Sequence, residues 1–81
     1  MQKVLLIEDS RTFATVIKKT IEADMHFPVD WAPTYADAIQ SIDAHGTEYF
    51  VALIDLHLPD ASKGEALDLV LSQNIPPIVL T

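Results

Sequence analysis

The chain has 81 residues, of which 49 % are hydrophobic, so it is long enough for one domain and too apolar for a disordered segment. Twelve acidic residues against five basic ones give a net charge of -7, which argues against binding to nucleic acid. The absence of cysteine excludes a disulfide framework and a thiolate zinc site, and it fits a cytoplasmic location. No apolar run approaches the roughly 20 residues of a membrane span, so no membrane partner is expected.

The first predicted strand is Val4-Leu5-Leu6-Ile7, an apolar run that stops at Glu8 and Asp9. Such a run is typical of a central strand that is buried on both faces of a sheet. Ser10 can cap the helix that follows. Apolar residues at helical spacing predict the core-facing stripe of this helix, namely Phe13, Val16, Ile17 and Ile21.

A second strand is predicted over residues 27–32, where apolar and polar residues alternate around an early proline that favours a position near the sheet edge. Thr34 begins the next helix, and Asp37 follows three residues later in a pattern that resembles a capping box. His45-Gly46 is the predicted end of this helix. Its predicted inner face consists of Ala38, Ile39 and Ile42.

The third predicted strand, residues 50–55, repeats the first pattern, because an apolar run again ends in a carboxylate, Asp55. A loop between Pro59 and Gly64 leads to a third helix, and residues 78–81 form a fourth apolar strand. The order βαβαβαβ with short connections predicts a parallel sheet with helices on both faces. The predicted inner face of the third helix consists of Ala66, Leu67, Val70 and Leu71.

Polar residues converge where these strands end. Glu8 and Asp9 follow the first strand, Asp55 ends the third and Thr81 ends the fourth, so parallel topology delivers all four to one rim of the sheet. Three neighbouring carboxylates repel one another unless a cation joins them, and Mg²⁺ prefers such oxygen ligands. Asp55 is the better candidate for a nucleophile toward a phosphoryl group, since it ends the most apolar strand.

With these residues, the chain resembles the N-terminal part of a response-regulator receiver domain of two-component signalling. The similarity covers the whole chain and rests on three ordered blocks. They are the strand that ends in Glu8-Asp9-Ser10, the segment Asp55-Leu56-His57-Leu58-Pro59, and the apolar strand that ends in Thr81. The resemblance implies an α/β, flavodoxin-like, doubly wound parallel sheet. It also implies that residues 1–81 form an incomplete receiver domain that stops before a fifth βα unit.

The resemblance further implies a role for each residue of the rim. Asp55 would be the phosphoacceptor and Thr81 the switch hydroxyl. Mg²⁺ would be held by Asp9, by Asp55, by Glu8 through water and by the backbone carbonyl of His57. A histidine kinase or phosphotransfer protein would be the partner that supplies the phosphoryl group. The domain itself would not be an enzyme, and any output region would lie outside these residues.

One alternative stays open, a receiver-like dimerisation or docking module that works without phosphorylation. A nucleotide-binding domain is excluded, because neither glycine of the chain belongs to a phosphate-binding loop motif. The fourth strand, Ile78-Val79-Leu80, reads as an interior strand with no further strand after it, so one edge would be bare. This predicts a homodimer through that edge, or a chain that is part of a longer protein.

Overall fold

The computed structural model describes residues 2–80, which form a four-stranded parallel sheet in the order β2-β1-β3-β4. The strands are β1 (Lys3–Ile7), β2 (Val29–Ala32), β3 (Tyr49–Ile54) and β4 (Pro77–Val79). The helices are α1 (Arg11–Thr20), α2 (Tyr35–His45) and α3 (Glu65–Ser72). A π-helical turn, Ile21–Met25, extends α1, and a 3-10 turn, Gly46–Glu48, follows α2. This arrangement confirms the predicted α/β class and its parallel sheet.

The central position of β1 and β3 is confirmed by their pairing. β1 pairs with β2 on one side and with β3 on the other, with Ile7 opposite Ile54 at the end of the central pair. β2 is an edge strand, as predicted, but it begins at Val29, two residues later than expected. Pro28 precedes the strand because it has no N–H, and its carbonyl accepts from the Val4 N–H at 2.9 Å.

Two apolar clusters cover the two faces of the sheet. The larger one packs α2 and α3 against the sheet, and the smaller one packs α1 against the other face. Burying one Leu or Ile side chain stabilises the fold by about 1.5–3 kcal/mol, so the fully buried side chains dominate this core. The largest of them are Leu5, Leu6, Ile7, Ile54, Leu58, Val70 and Ile75.

The predicted core stripe of α1 is wrong in part. Phe13 and Val16 are 45 % and 59 % exposed, and Ala14 is the buried residue of this helix. α1 and the π-helical turn contact the sheet along Ala14, Ile17 and Ile21, which share one face at i, i+3 and i+7, and Phe13 and Val16 lie to one side of that face.

The predicted inner face of α3 is also wrong at one position. Leu71 is 52 % exposed, whereas Ala66 and Val70 are buried and Leu67 packs against them. The buried pair is spaced by one helical turn, which leaves Leu71 on the flank. The predicted inner face of α2 is confirmed for Ala38 and Ile42, which are buried, whereas Ile39 is only half-buried.

The predicted starts of α1 and α2 are confirmed, as is the predicted end of α2 at His45-Gly46. The Ser10 hydroxyl accepts from the Phe13 N–H at 3.3 Å, and the Thr34 hydroxyl accepts from the Asp37 N–H at 3.1 Å. In this variant of the capping box the Thr34 hydroxyl also donates to Asp37 Oδ2 at 3.0 Å. Within residues 2–80, no helix is long and apolar enough to cross a membrane.

Candidate functional site

Three carboxylates meet at the carboxyl ends of the two central strands. Glu8 and Asp9 follow β1, Asp55 follows β3, and one oxygen of each lies within 4.8 Å of the others. Strand pairing brings them together, since the Asp55 N–H donates to the Ile7 carbonyl at 2.8 Å directly before the cluster. Glu8 and Asp55 are buried, at 4 % and 7 % exposure, and Asp9 is exposed. The cluster is therefore a part-buried acidic group that is open on one side.

The crowding of these groups changes the ionisation of Glu8. Burial, with the neighbouring Asp55 carboxylate, raises the pKa of Glu8 to about 6, although the Ser10 N–H that donates to Glu8 Oε2 at 3.1 Å opposes the shift. A divalent cation would relieve this repulsion and would find several hard oxygen ligands within reach. The donor set of the cluster fits Mg²⁺ on these grounds.

The loop after β3 begins with a hydrogen bond to the acidic cluster. The His57 N–H donates to Asp55 Oδ1 at 2.8 Å, so the loop backbone fixes this carboxylate. The His57 side chain is exposed, and its backbone carbonyl as a metal ligand stays a prediction. Leu58 and Ala61, both buried, exchange two backbone hydrogen bonds at 3.3 and 3.2 Å and close the loop on itself.

Asp60, in the same loop, is a residue that sequence reasoning missed. Its two carboxylate oxygens accept the N–H groups of Tyr35 and Ala36 at 2.8 and 3.1 Å, so the loop is tied to the first turn of α2. The Tyr35 N–H, together with that of Ala36, lowers the pKa of Asp60. No local sequence signal identifies this contact, because it joins residues more than 20 positions apart along the chain.

Trp31 packs against the smaller cluster, as expected from its sequence, but its contact with the site was missed. Its indole Nε1–H donates to the main-chain carbonyl of Glu8 at 2.6 Å. The contact depends on the register of β1 and β2, which places Leu6 opposite Trp31, and a register cannot be read from the sequence of one strand. Thr81, the predicted switch residue, lies outside the described residues.

Known proteins are similar to this chain over nearly all of its length. The response regulator RppA of Synechocystis sp. is 30 % identical over 81 residues, which cover 98 % of this chain and 34 % of that protein. This chain thus spans about a third of the length of the curated relative it matches. No protein-family model matches the chain.

Solved structures show the same similarity. A two-component system response regulator/GGDEF domain protein has a TM-score of 0.86 and 36 % identity, over 100 % of this chain and 32 % of that chain. The signal receiver domain of a LuxO repressor protein from Vibrio parahaemolyticus has a TM-score of 0.75 and 32 % identity, over 96 % of this chain and 58 % of that chain. The similarity therefore covers both sequence and fold.

Proposed function

Because this chain has the fold of a response-regulator receiver domain, and a similar sequence along its length, we propose that it accepts a phosphoryl group on Asp55. The donor is a histidine kinase or a phosphotransfer protein, and the reaction depends on Mg²⁺. The observation that carries this proposal is the acidic cluster, in which the buried Asp55 lies beside Glu8 and Asp9. Holding the buried Asp55 and Glu8 carboxylates beside Asp9 is electrostatically unfavourable, and a bound cation would offset this repulsion.

The proposed transfer is a substitution at phosphorus. An Asp55 oxygen attacks the phosphorus of a phosphohistidine, the P–O bond forms and the P–N bond breaks. The imidazole nitrogen keeps the electron pair and takes a proton from water, and Asp55 becomes an acyl phosphate. Asp9, Asp55, the His57 carbonyl and, through water, Glu8 would hold Mg²⁺, which would supply charge neutralisation at the phosphoryl oxygens. The His57 N–H orients the Asp55 carboxylate through the bond to Oδ1.

The remaining roles follow from the same proposal. Thr81 is the switch hydroxyl that senses the phosphoryl group. Residues 1–81 are the receiver part of a cytoplasmic response regulator. This receiver part has no enzymatic activity of its own and controls an output region that lies outside these residues. The solved response regulator/GGDEF domain protein is a relative in which this fold occurs in a longer chain.

For residues 1–81 on their own, the exposed edge of the sheet supports a homodimer, whose alternative is a longer chain that covers this edge. β4 is an edge strand, and its residues Ile78 and Val79 are 53 % and 46 % exposed. An apolar hollow of about 230 Å³ adjoins it on the α1 face. Its lining includes Ile21, Met25, Phe27, Phe50, Leu53 and Ile78. A second copy that pairs along β4 would cover this surface.

Phosphorylation is tested by incubating the protein with Mg²⁺ and acetyl phosphate and measuring its intact mass. The wild type is expected to gain one phosphoryl group, which acid preserves and base removes, and EDTA is expected to prevent the gain. Asp55→Asn should lose the adduct, whereas the control Asp43→Asn, at an exposed aspartate of α2, should keep it. Equal labelling of wild type and Asp55→Asn would refute the assignment of Asp55. Absence of labelling in the wild type would favour the phosphorylation-independent docking module.

A further inference from the structure

Both main-chain polar groups of Glu8, its N–H and its carbonyl, form hydrogen bonds with residues of β2. Its N–H donates to the Ala32 carbonyl at 3.2 Å, and its carbonyl accepts from the Trp31 indole at 2.6 Å. The chain after β2 continues with Pro33, which has no N–H to extend the strand ladder. The Trp31 side chain therefore adds a hydrogen bond between β2 and the residue that directly follows β1.

This hold acts on the acidic site through the geometry of one peptide bond. The Glu8 carbonyl and the Asp9 N–H belong to the same planar peptide unit. A hydrogen bond that fixes the carbonyl therefore also restricts the direction in which the Asp9 side chain projects from the backbone. Glu8 is anchored a second time at its side chain, where Oε2 accepts from the Ser10 N–H at 3.1 Å. Asp9 is exposed, so its direction depends more on the backbone than on packing.

We propose that Trp31 is a positioning residue of the acidic site, whose indole N–H fixes the Glu8–Asp9 peptide unit so that both carboxylates face Asp55 at the separation that binds Mg²⁺. The inference rests on the proposed function, since it assigns Trp31 to the metal site of the phosphoacceptor. It also makes Trp31 a reporter of that site, because it is the only tryptophan of the chain and its indole N–H donates to the carbonyl of Glu8, directly before Asp9.

The first test is the Mg²⁺ affinity of Trp31→Phe, which keeps an aromatic ring and removes the N–H. Loss of one neutral hydrogen bond is expected to weaken Mg²⁺ binding about five- to tenfold in calorimetric titration. The control is Tyr49→Phe, which removes another aromatic donor, the hydroxyl that donates to Asp30 Oδ2 at 2.7 Å. Tyr49 packs in the larger cluster, so its variant should lower the unfolding temperature and leave Mg²⁺ affinity unchanged.

The outcomes separate this inference from the proposed function. If Trp31→Phe binds Mg²⁺ as tightly as the wild type, or if both variants weaken binding equally, the positioning role of Trp31 is refuted while the proposed function stands. If the wild type itself does not bind Mg²⁺, the proposed metal site is refuted and the positioning role with it.

The second test needs no variant at Trp31 and therefore does not depend on how that variant folds. Mg²⁺ titrated into the wild type should change the Trp31 emission and saturate at the calorimetric affinity. Asp9→Asn should abolish the change together with the binding. Emission that stays constant while calorimetry records binding would refute the proposed link between Trp31 and the site.

Discussion

Glu8 is a buried acid beside two further carboxylates, and its ionisation opposes folding in the metal-free protein. Its pKa is raised from 4.5 to about 6 by burial and by Asp55. For an acid with a raised pKa, full stability is present below the unfolded value and is lost as pH rises through the folded value. The loss for Glu8 is on the order of 1 kcal/mol. Ionised Glu8 therefore lowers the stability of the metal-free fold, and on the proposed function bound Mg²⁺ would offset this loss.

Glu8→Gln removes this ionisation while it keeps the size of the side chain. With EDTA at about pH 8, we expect the variant to unfold several degrees above the wild type, because the charged carboxylate is gone. At about pH 4.5, where Glu8 is mostly protonated, the two unfolding temperatures should converge. Mg²⁺ at the higher pH should stabilise the wild type more than the variant. A difference that does not depend on pH would contradict this account of Glu8.

At the scale of elements, the N-terminus of α2 is joined to the loop after β3 by Asp60. The Asp60 carboxylate accepts two N–H groups of the first helical turn, an arrangement that satisfies helix donors and complements the helix dipole. Its pKa is lowered by the Tyr35 and Ala36 N–H groups, so its contribution to stability is present above the unfolded pKa and is lost as pH falls through the folded pKa.

Asp60→Ala is expected to lower the unfolding temperature near neutral pH, because two helix donors lose their acceptor. Thermal unfolding from about pH 7 to about pH 3 should show this difference shrinking, since the wild type loses its advantage when Asp60 takes up a proton. Asp43→Ala, at an exposed aspartate within α2, serves as the control for removing one negative charge. An equal effect of the two variants would show that Asp60 acts only through net charge.

Local sequence patterns predict the elements of this fold better than the faces that the elements bury. The apolar runs predict β1 and β3, and the capping residues Ser10 and Thr34 predict where α1 and α2 begin. Periodicity alone does not tell how wide the contact of a helix with the sheet is. Phe13, Val16 and Leu71 match the spacing of a core stripe, yet they lie on the flank, since each helix meets the sheet along a narrow line.

At the scale of the whole molecule, the exposed edge at β4 is expected to mediate self-association. Ile78→Lys places a charge beside the apolar hollow and should shift a homodimer to monomer in light scattering, because an unpaired charge would be buried at the interface. Leu71→Lys is the control, since Leu71 is exposed to a similar extent, 52 % against 53 %, but lies on α3 against the opposite face. A wild type that is monomeric over a wide concentration range would contradict the homodimer.

Topology also decides how much of the candidate site the sequence predicts. Parallel strands end at the same rim, so parallel topology predicts that Glu8, Asp9 and Asp55 share a rim, and the adjacency of β1 and β3 brings them together. The contacts that hold this rim in place do not follow, because Trp31 reaches it through the register of β2 and Asp60 acts through the path of a loop. These supports are long-range, and only the assembled sheet shows them.

The three carboxylates also link two stretches of chain that are neighbours in the sheet but far apart in sequence, with α1, β2 and α2 between them. All three carboxylates could bind one cation only while β1 and β3 are paired, so the cation would have to dissociate before the two strands separate. In a chain without cysteine, it would act as a removable cross-link that closes a long loop. On the proposed function, Mg²⁺ would therefore govern the lifetime of the folded sheet as well as the reactivity of Asp55.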